Sequence, residues 1–597
     1  MAVISIHLLT LLNLFAMKRN LLMMLFALGL GLMATAGINA DLPGYGTVNL
    51  DIYFLDASAQ GIAGEGNEPE SYAFSVFYNE QLGIAAVSKV WEQYTGNSTK
   101  IVLPAQVTIA GKTYPVVGIW SSKLFVGGGS SVQQLTLPGR LEFIGNSWEC
   151  INAPNLTSIT IPGTVTYVTA NVFRACTALK QVTLADGDQP IEFDVDRWYD
   201  RPFDWSPVED IYLGRDIVCK TKLFNNSDSG PEKRVTISPK MTQMNEELFY
   251  NDRRVVQLTL MEGVTNVGNR AFFYCTGLKQ LTVPNSMRVI GSQAFENAGI
   301  EQLNLGHGVQ FIMERAFNAV SITSLKLPAS LDSLYSNSFR YSRQITEIVI
   351  EDSPRTLKML GREDYGNGSF FHLDNLYTVY QGRNIESIDP PFYSTKLKSI
   401  VMGNNVTQIA AKYLQGCSHL ETVQLSKNLT DIPEKAFNQC AAREIVIPDR
   451  VVNIGQEAFR SSPIERVTLG KRTAQIGYRA FWEDDALTAV TCLNTEPPVC
   501  DSETFSTSTF SNAMLYVPRT AIDTYKGADV WKNFFNVSNV VIRGDINGDD
   551  MVDVADVNGV INMMLGKAEQ TNAGDINGDG QIDVADVNAV INLMLGK

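Results

Sequence analysis

A short apolar motif returns along most of this chain at nearly constant spacing, and few folds accommodate such a pattern. Leu281-Thr-Val-Pro284, Met287, Ile290-Gly291, Ala294-Phe295 and Ile300 are matched by Ile445-Val-Ile-Pro448, Val451, Ile454-Gly455, Ala458-Phe459 and Ile464. Strand starts fall at Leu258, Leu281, Leu303, Leu325 and Ile348, and again at Ile400, Val423, Ile445, Val467 and Val490, in steps of 22 or 23 residues. Looser copies begin at Leu135, Ile159, Val182, Ile211 and Val235. A fixed short period predicts a solenoid, because one coil cannot bury its own apolar face but stacked coils share a continuous core. In each three-residue strand the outer two side chains point inward and the middle one outward. The proline or glycine that follows stops the strand and turns the chain.

The repeat reads L-x-L-P-x-x-V-x-x-I-G-x-x-A-F. Ile159-Thr-Ile-Pro162, Val165, Val168, Phe173, Cys176 and Leu179 fit it, as do Val423-Gln-Leu425, Leu429, Ile432, Ala436-Phe437 and Cys440. In this the chain resembles the BspA-like subgroup of leucine-rich repeat bacterial surface proteins. The resemblance extends to the opening segment from Phe74 to Ile119, with Gly111-Lys-Thr-Tyr114 and Val117. It also covers the closing Leu515-Tyr-Val-Pro518, Tyr525, Trp531 and Phe534-Phe535. It implies that these segments cap the open ends of the stack.

Two stretches break the period. Asp186 to Asp210 carries Trp198, Tyr199, Phe203 and Trp205; Glu351 to Lys396 carries Tyr365, Phe370, Phe371, His372, Tyr377, Tyr380, Phe392 and Tyr393. Either the rings pack onto the solenoid, with degenerate coils hidden in the second stretch, or they anchor a partner, Trp198 and Trp205 foremost. The outward strand positions hold Thr136, Thr160, Thr183, Thr236, Thr259, Thr282, Thr468 and Thr491. Strand propensity accounts for threonine there, and so would a hydroxyl-rich binding face.

The chain of 597 residues is too long for one compact domain. Its net charge of −15 disfavours a nucleic-acid partner. Lys18-Arg19, the apolar run Leu21 to Met33 and the small residues Ala34, Ala36 and Ala40 form a secretory leader, with Met17 an alternative start. No later stretch is apolar enough to span a membrane. Of the eight cysteines, Cys176, Cys275, Cys417 and Cys440 follow a repeat aromatic and are expected to be buried as small hydrophobes. Cys492 and Cys500 form the one close pair, bridged or free.

The last segment is a different module. Asp545-Ile-Asn547-Gly-Asp549-Asp-Met551-Val-Asp553-Val-Ala-Asp556 returns 30 residues later as Asp575-Ile-Asn577-Gly-Asp579-Gly580-Gln581-Ile-Asp583-Val-Ala-Asp586. Oxygen donors at positions 1, 3, 5, 9 and 12, with a backbone carbonyl at 7 (Met551, Gln581), describe an EF-hand-type calcium loop. Two ions are therefore expected. Position 12 is Asp rather than Glu, and position 6 suits Gly580 better than Asp550. One helix follows each loop, with Val557, Val560, Ile561, Met564 and Leu565, and Val587, Val590, Ile591, Met594 and Leu595, at helical spacing on one face. This loop–helix duplication resembles a type I dockerin, which implies docking to a cohesin-like scaffold protein. In that family positions 10 and 11 carry recognition residues, commonly hydroxylic. Here they are Val554-Ala555 and Val584-Ala585, which either meet an unusual partner or, for the valines, belong to the module's own core.

The expected architecture is an α/β repeat solenoid with short β-strands, followed by a small all-α duplicated calcium loop–helix module. The segments are a leader (1–40), a β-rich cap (41–119), the solenoid (120–500), a closing cap and linker (501–543) and the calcium module (544–597). The expected function is binding, at the bacterial surface or after secretion, with an unknown protein or glycan on the solenoid. The alternative is a non-catalytic component of an extracellular polysaccharide-degrading complex. No G-x-S-x-G, H-E-x-x-H or phosphate loop occurs, and no opposed carboxylate pair stands out, so an enzyme is not expected.

Overall fold

The computed structural model describes residues 33–56, 73–91, 99–126, 131–145, 150–195, 201–203, 205–219, 223–224, 230–242, 244, 246–361, 369–370, 372–387, 390–392, 395–549 and 551–595. Trp198, Tyr199, Tyr365, Phe371, Tyr393, Asp550 and most of the leader lie outside the described residues. The chain forms two compact units, Met1–Ser321 and Ile322–Lys597.

The first unit opens with four antiparallel strands, β1 (Met33–Leu42), β2 (Gly46–Asp56), β3 (Ala73–Asn79) and β4 (Ile84–Trp91). The residues Met33 to Ala40, counted with the leader above, are part of β1. β4 then pairs in parallel with Lys112–Ile119, and the direction of pairing changes there from meander to solenoid. Leu42, Leu50, Ala86, Val117 and Phe143 pack together across this junction, which closes the first coil against water.

From there each coil gives one strand to each of two parallel ladders. One runs Lys100–Val102, Gln134–Thr136, Ser158–Ile161, Gln181–Leu184, Asp210–Leu213, Lys233–Ile237 and Val255–Leu260. The other carries Phe143–Ile144, Tyr167–Thr169, Ile191–Asp194 and Ile217–Val218. Register is fixed by burial: Ile159 pairs with Val182, Val182 with Ile211 and Ile211 with Val235, all buried, so a slip of one residue would expose the core. The same register aligns Thr160, Thr183, Tyr212, Thr236 and Thr259 on the outer face.

The third arm of each coil is made of turns. Its axis is a stack of phenylalanines, Phe173, Phe203, Phe224, Phe249, Phe272, Phe295 and Phe317, with ring centres 5.0 to 5.9 Å apart. Each contact adds about 0.5–1.5 kcal/mol beyond area burial. Keeping a ring on this axis bends the backbone sharply. Gln293 and Asn297, on either side of Phe295, both take left-handed conformations (φ 57° and 55°). Three residues after the ring lies a buried slot. Cys176 fills it by donating its thiol to the Ile151 carbonyl at 2.9 Å, and Cys440 likewise to Leu414 at 3.1 Å. Burial pushes the Cys176 thiol up to about 12, so these cysteines are structural and unreactive.

The second unit repeats the plan. Its strands Ser324–Leu327, Glu347–Ile350, Thr378–Gln381, Ser399–Met402 and Thr422–Gln424 form one parallel sheet. Glu444–Val446, Arg466–Leu469, Ala489–Cys492, Met514–Val517 and Asn536–Asn539 form another. Phe437, Phe459, Phe481 and Phe505 form a phenyl stack of this unit's own, with ring centres 5.2 to 5.4 Å apart. Helices α1 (Thr507–Asn512) and α2 (Ile522–Gly527) close the end. Phe510, Trp531 and Phe534 meet Phe505 edge-on and stop the stack, while Phe535 stays exposed. Cys492 and Cys500 are both free thiols. No helix among the described residues is long and apolar enough to cross a membrane.

Candidate calcium and docking site

The C-terminal module contains two helices, α3 (Val554–Met564) and α4 (Val584–Met594), each launched from one of the duplicated aspartate loops. The two loops make the same hydrogen bonds. In the first, Asp545 Oδ1 accepts from the backbone N–H of Gly548 and Asp549 at 2.6 and 3.2 Å, and Asn547 Oδ1 from Asp549 at 2.8 Å. In the second, Asp575 Oδ1 accepts from Gly578 and Asp579 at 2.8 and 3.1 Å, and Asn577 Oδ1 from Asp579 at 2.8 Å. Asp549 and Asp579 accept from Met551 and Gln581. Each aspartate thus coils the backbone after it, and the coil needs left-handed residues. Gly580 at position 6 has φ 85°, as expected, and so do Gly548 and Gly578 at position 4 (φ 74° and 80°), which sequence reasoning did not single out. The signal was there in the shared Asn-Gly-Asp.

Positions 9 and 12 have a duty in the fold that the spacing did not reveal. Asp553 and Asp583 are the N-caps of α3 and α4, accepting from Ala555 and Ala585 at 2.7 and 2.6 Å. Asp556 and Asp586 complete capping boxes by accepting from the N-cap backbone at 2.8 and 2.9 Å. Their other oxygens reach back to Ile546 and Asn547, and to Ile576 and Asn577. One short aspartate therefore ties loop start, loop end and helix start together, which explains why Asp serves here in place of Glu. Burial works to raise the Asp586 carboxyl. The N–H groups of Asp583, Asn577 and Ile576 outweigh it and hold the carboxyl below the ordinary range.

Among the described residues no three His, Cys, Asp or Glu side chains converge as a metal cluster. Carboxylate oxygens are turned toward loop N–H groups instead. A carboxylate has about four acceptor sites, so these bonds do not exhaust it. The donors in both loops are all oxygen, which suits a hard cation and not zinc or iron.

Val560, Ile576 and Val590 form the module's core, flanked by Ile546, Val552, Val557 and Ile582. Val554 and Val584 do not join it. They are 62% and 60% exposed, with Ala555 and Ala585 exposed beside them. The apolar stripe expected on each helix is also narrower than its spacing implied: Leu565 and Leu595 face solvent, because the helices are single amphipathic elements around a very small core. Of the aromatic candidates, Trp205 is 61% exposed and lies under the Arg174 guanidinium at 5.3 Å. Phe203, Phe370 and Phe392 are buried in the phenyl stack, so both period breaks contain coils with long turns.

The family model for the BspA type leucine rich repeat region matches between residues 124 and 513 in overlapping segments. The chain belongs to this family. Residues 543–595 match the dockerin type I domain, a class that generally binds calcium. A leucine-rich repeat protein from Bacteroides ovatus is 17% identical, with 80% of this chain and 100% of that one covered and a TM-score of 0.29. A leucine rich cell surface protein from Faecalibacterium prausnitzii is 19% identical (72% and 96% covered, TM-score 0.23). The pneumococcal vaccine antigen PcpA is 16% identical (81% and 98% covered, TM-score 0.23). No curated protein matches the chain.

Proposed function

We propose that this protein is a non-catalytic binding protein of the bacterial exterior, its repeat solenoid attached to a cohesin-like scaffold protein through the dockerin. The observation that carries the reading is the pair Val554-Ala555 and Val584-Ala585, exposed at the same place in both copies beside the loops. Asp545, Asn547, Asp549, Met551, Asp553 and Asp556 hold one calcium ion, and Asp575, Asn577, Asp579, Gln581, Asp583 and Asp586 a second. Calcium supplies fixed positive charge that lets these acidic loops fold. The chain's own residues do the rest: the aspartates cap α3 and α4, which sets the valine pairs at the surface. An apolar Val-Ala pair selects a partner with an apolar docking face and disfavours one lined by hydroxyl acceptors.

Full-length protein should capture a cohesin-like partner from envelope and extracellular proteins in calcium and release it in chelator. Changing Val554→Asp with Val584→Asp should abolish capture without moving the melting temperature. Capture that survives both chelator and the double substitution would refute the docking role.

A further inference from the structure

The two aspartate loops of the C-terminal module are alike inside but differ in what stands beside them. A methyl group placed on Gly548, at position 4 of the first loop, would lie 2.6 Å from Arg519 Nη1 and 3.4 Å from its Nη2. At the same position of the second loop Gly578 has nothing within 4 Å, and neither has Gly580. Gly548 and Gly578 share one left-handed backbone conformation (φ 74° and 80°), so the loop's own geometry does not call for the arginine.

Arg519 belongs to the closing cap of the solenoid, at the start of the short turn Arg519–Ala521. Pro518 and Ala521 on either side are buried, and the Ala521 N–H donates to the Pro518 carbonyl at 2.9 Å, so the cap holds the arginine's backbone in place. Its side chain is exposed and makes no hydrogen bond or ion pair among the described residues. The chain from cap to loop is short. The Val540 N–H is still bonded to the Val517 carbonyl at 2.8 Å, and residues 541–544 lead from there into Asp545. Within them Arg543 donates from Nε to the Ile576 carbonyl of the second loop at 3.0 Å. Ala573 stands at the matching place before the second loop. One arginine thus ties the linker to the second loop, and another brings the solenoid cap against the first.

We propose that Arg519 competes with calcium for the first loop, and so couples the filling of that loop to the seating of the module on the solenoid. The inference rests on the reading of both loops as calcium sites. The first loop gathers Asp545, Asp549, Asp550, Asp553 and Asp556. When it is empty, their mutual repulsion is relieved by the guanidinium placed against the loop backbone. A divalent cation held there repels the same guanidinium. Arg519 therefore keeps the empty first loop on the cap and yields as the loop fills. The coupling is reciprocal: the factor that Arg519 takes from calcium affinity, calcium takes from the hold of Arg519. The second loop has no such cation beside Gly578 or Gly580 and fills without reference to the solenoid. The two ions then do different work. The second keeps the module folded, and the first lets it move on residues 541–544.

The test is calorimetric titration of full-length protein with calcium at low ionic strength, in Asp575→Asn and Asp545→Asn backgrounds, each with and without Arg519→Gln. Asparagine keeps the Oδ1 acceptor that coils each loop and removes the charge that holds the ion. With the second loop disabled, Arg519→Gln should tighten the remaining site by about three- to tenfold. Arg519→Lys, which keeps the charge, should tighten it less. With the first loop disabled, Arg519→Gln should change nothing. The gain should vanish in about 1 M salt, where charges at the surface are screened. In the chain with both loops intact, Arg519→Gln should tighten one binding step and leave the other, which keeps the test open should an Asn variant fail to fold. The same substitution should lower the module's melting temperature in chelator and not in saturating calcium. Unchanged affinity at the first loop, an equal change at both loops, or a gain that persists in high salt would overturn the proposal. Absence of calcium binding by the wild-type chain would overturn the calcium reading as well, whereas two bound ions with Arg519→Gln silent would overturn this inference alone.

Discussion

Asp484 presents one carboxyl oxygen to the backbone N–H of Ser462 at 2.7 Å and leaves the other buried without a hydrogen-bond partner. It occupies the slot three residues after a stack phenyl, where Cys440 donates a proton to a carbonyl and Asp252 is neutralised by Lys233 at 2.9 Å. Asp484 has neither arrangement. Burial raises its carboxyl well above the usual range; the Ser462 N–H opposes this, and Asp485 and Glu483 add to it.

The consequence is a pH dependence of stability. An aspartate whose folded-state pKa is raised stabilises most below its unfolded value near 4, and that contribution is lost as pH rises through the folded value. Asp484→Ser, which restores a hydroxyl donor to the slot, should remove this component. Near neutral pH it should raise stability by about 1–3 kcal/mol, the cost of an unsatisfied buried polar group. Urea unfolding of both proteins between pH 4 and 8 checks this; parallel pH profiles would contradict it.

Arg215 makes a separate prediction. Its burial pushes the guanidinium down to about 10, still charged at neutral pH, and it satisfies three carbonyls at once. Arg215→Met keeps much of the volume but orphans those carbonyls, so it should cost about 3 kcal/mol or more. Arg215→Lys should recover part of the loss, because an ammonium lacks the planar fork. Urea midpoints for the three proteins should fall in the order Arg, Lys, Met; a Met variant as stable as the native chain would contradict the assignment.

The regular coils were legible in the sequence because their determinants are local. Leu281 and Val283 point inward and Thr282 outward by strand alternation alone, and Phe295 recurs where a ring must meet the rings above and below. The role of the buried arginine that follows the first period break was not legible. Arg215 acts on carbonyls around Gly163, |i−j| = 52, and nothing near Arg215 in sequence marks that target. In the C-terminal module the loops were legible from oxygen spacing. Their use of Asp556 and Asp586 as helix caps was hidden, because an aspartate suits a cap and an oxygen-ligand position equally well. The exposure of Val554 and Val584 also had to come from the fold, since a valine beside a helix start reads equally well as core.

Calcium titration of the full-length chain by calorimetry tests the central claim most directly, because the proposed docking, folding of the module and display of the solenoid all require calcium to bind. Two ions should bind per chain, and melting temperature should rise with calcium. Asp575→Ala with Asp586→Ala should leave one ion and reduce the calcium-linked stabilisation. No calcium binding, or two ions retained by the double variant, would contradict the account.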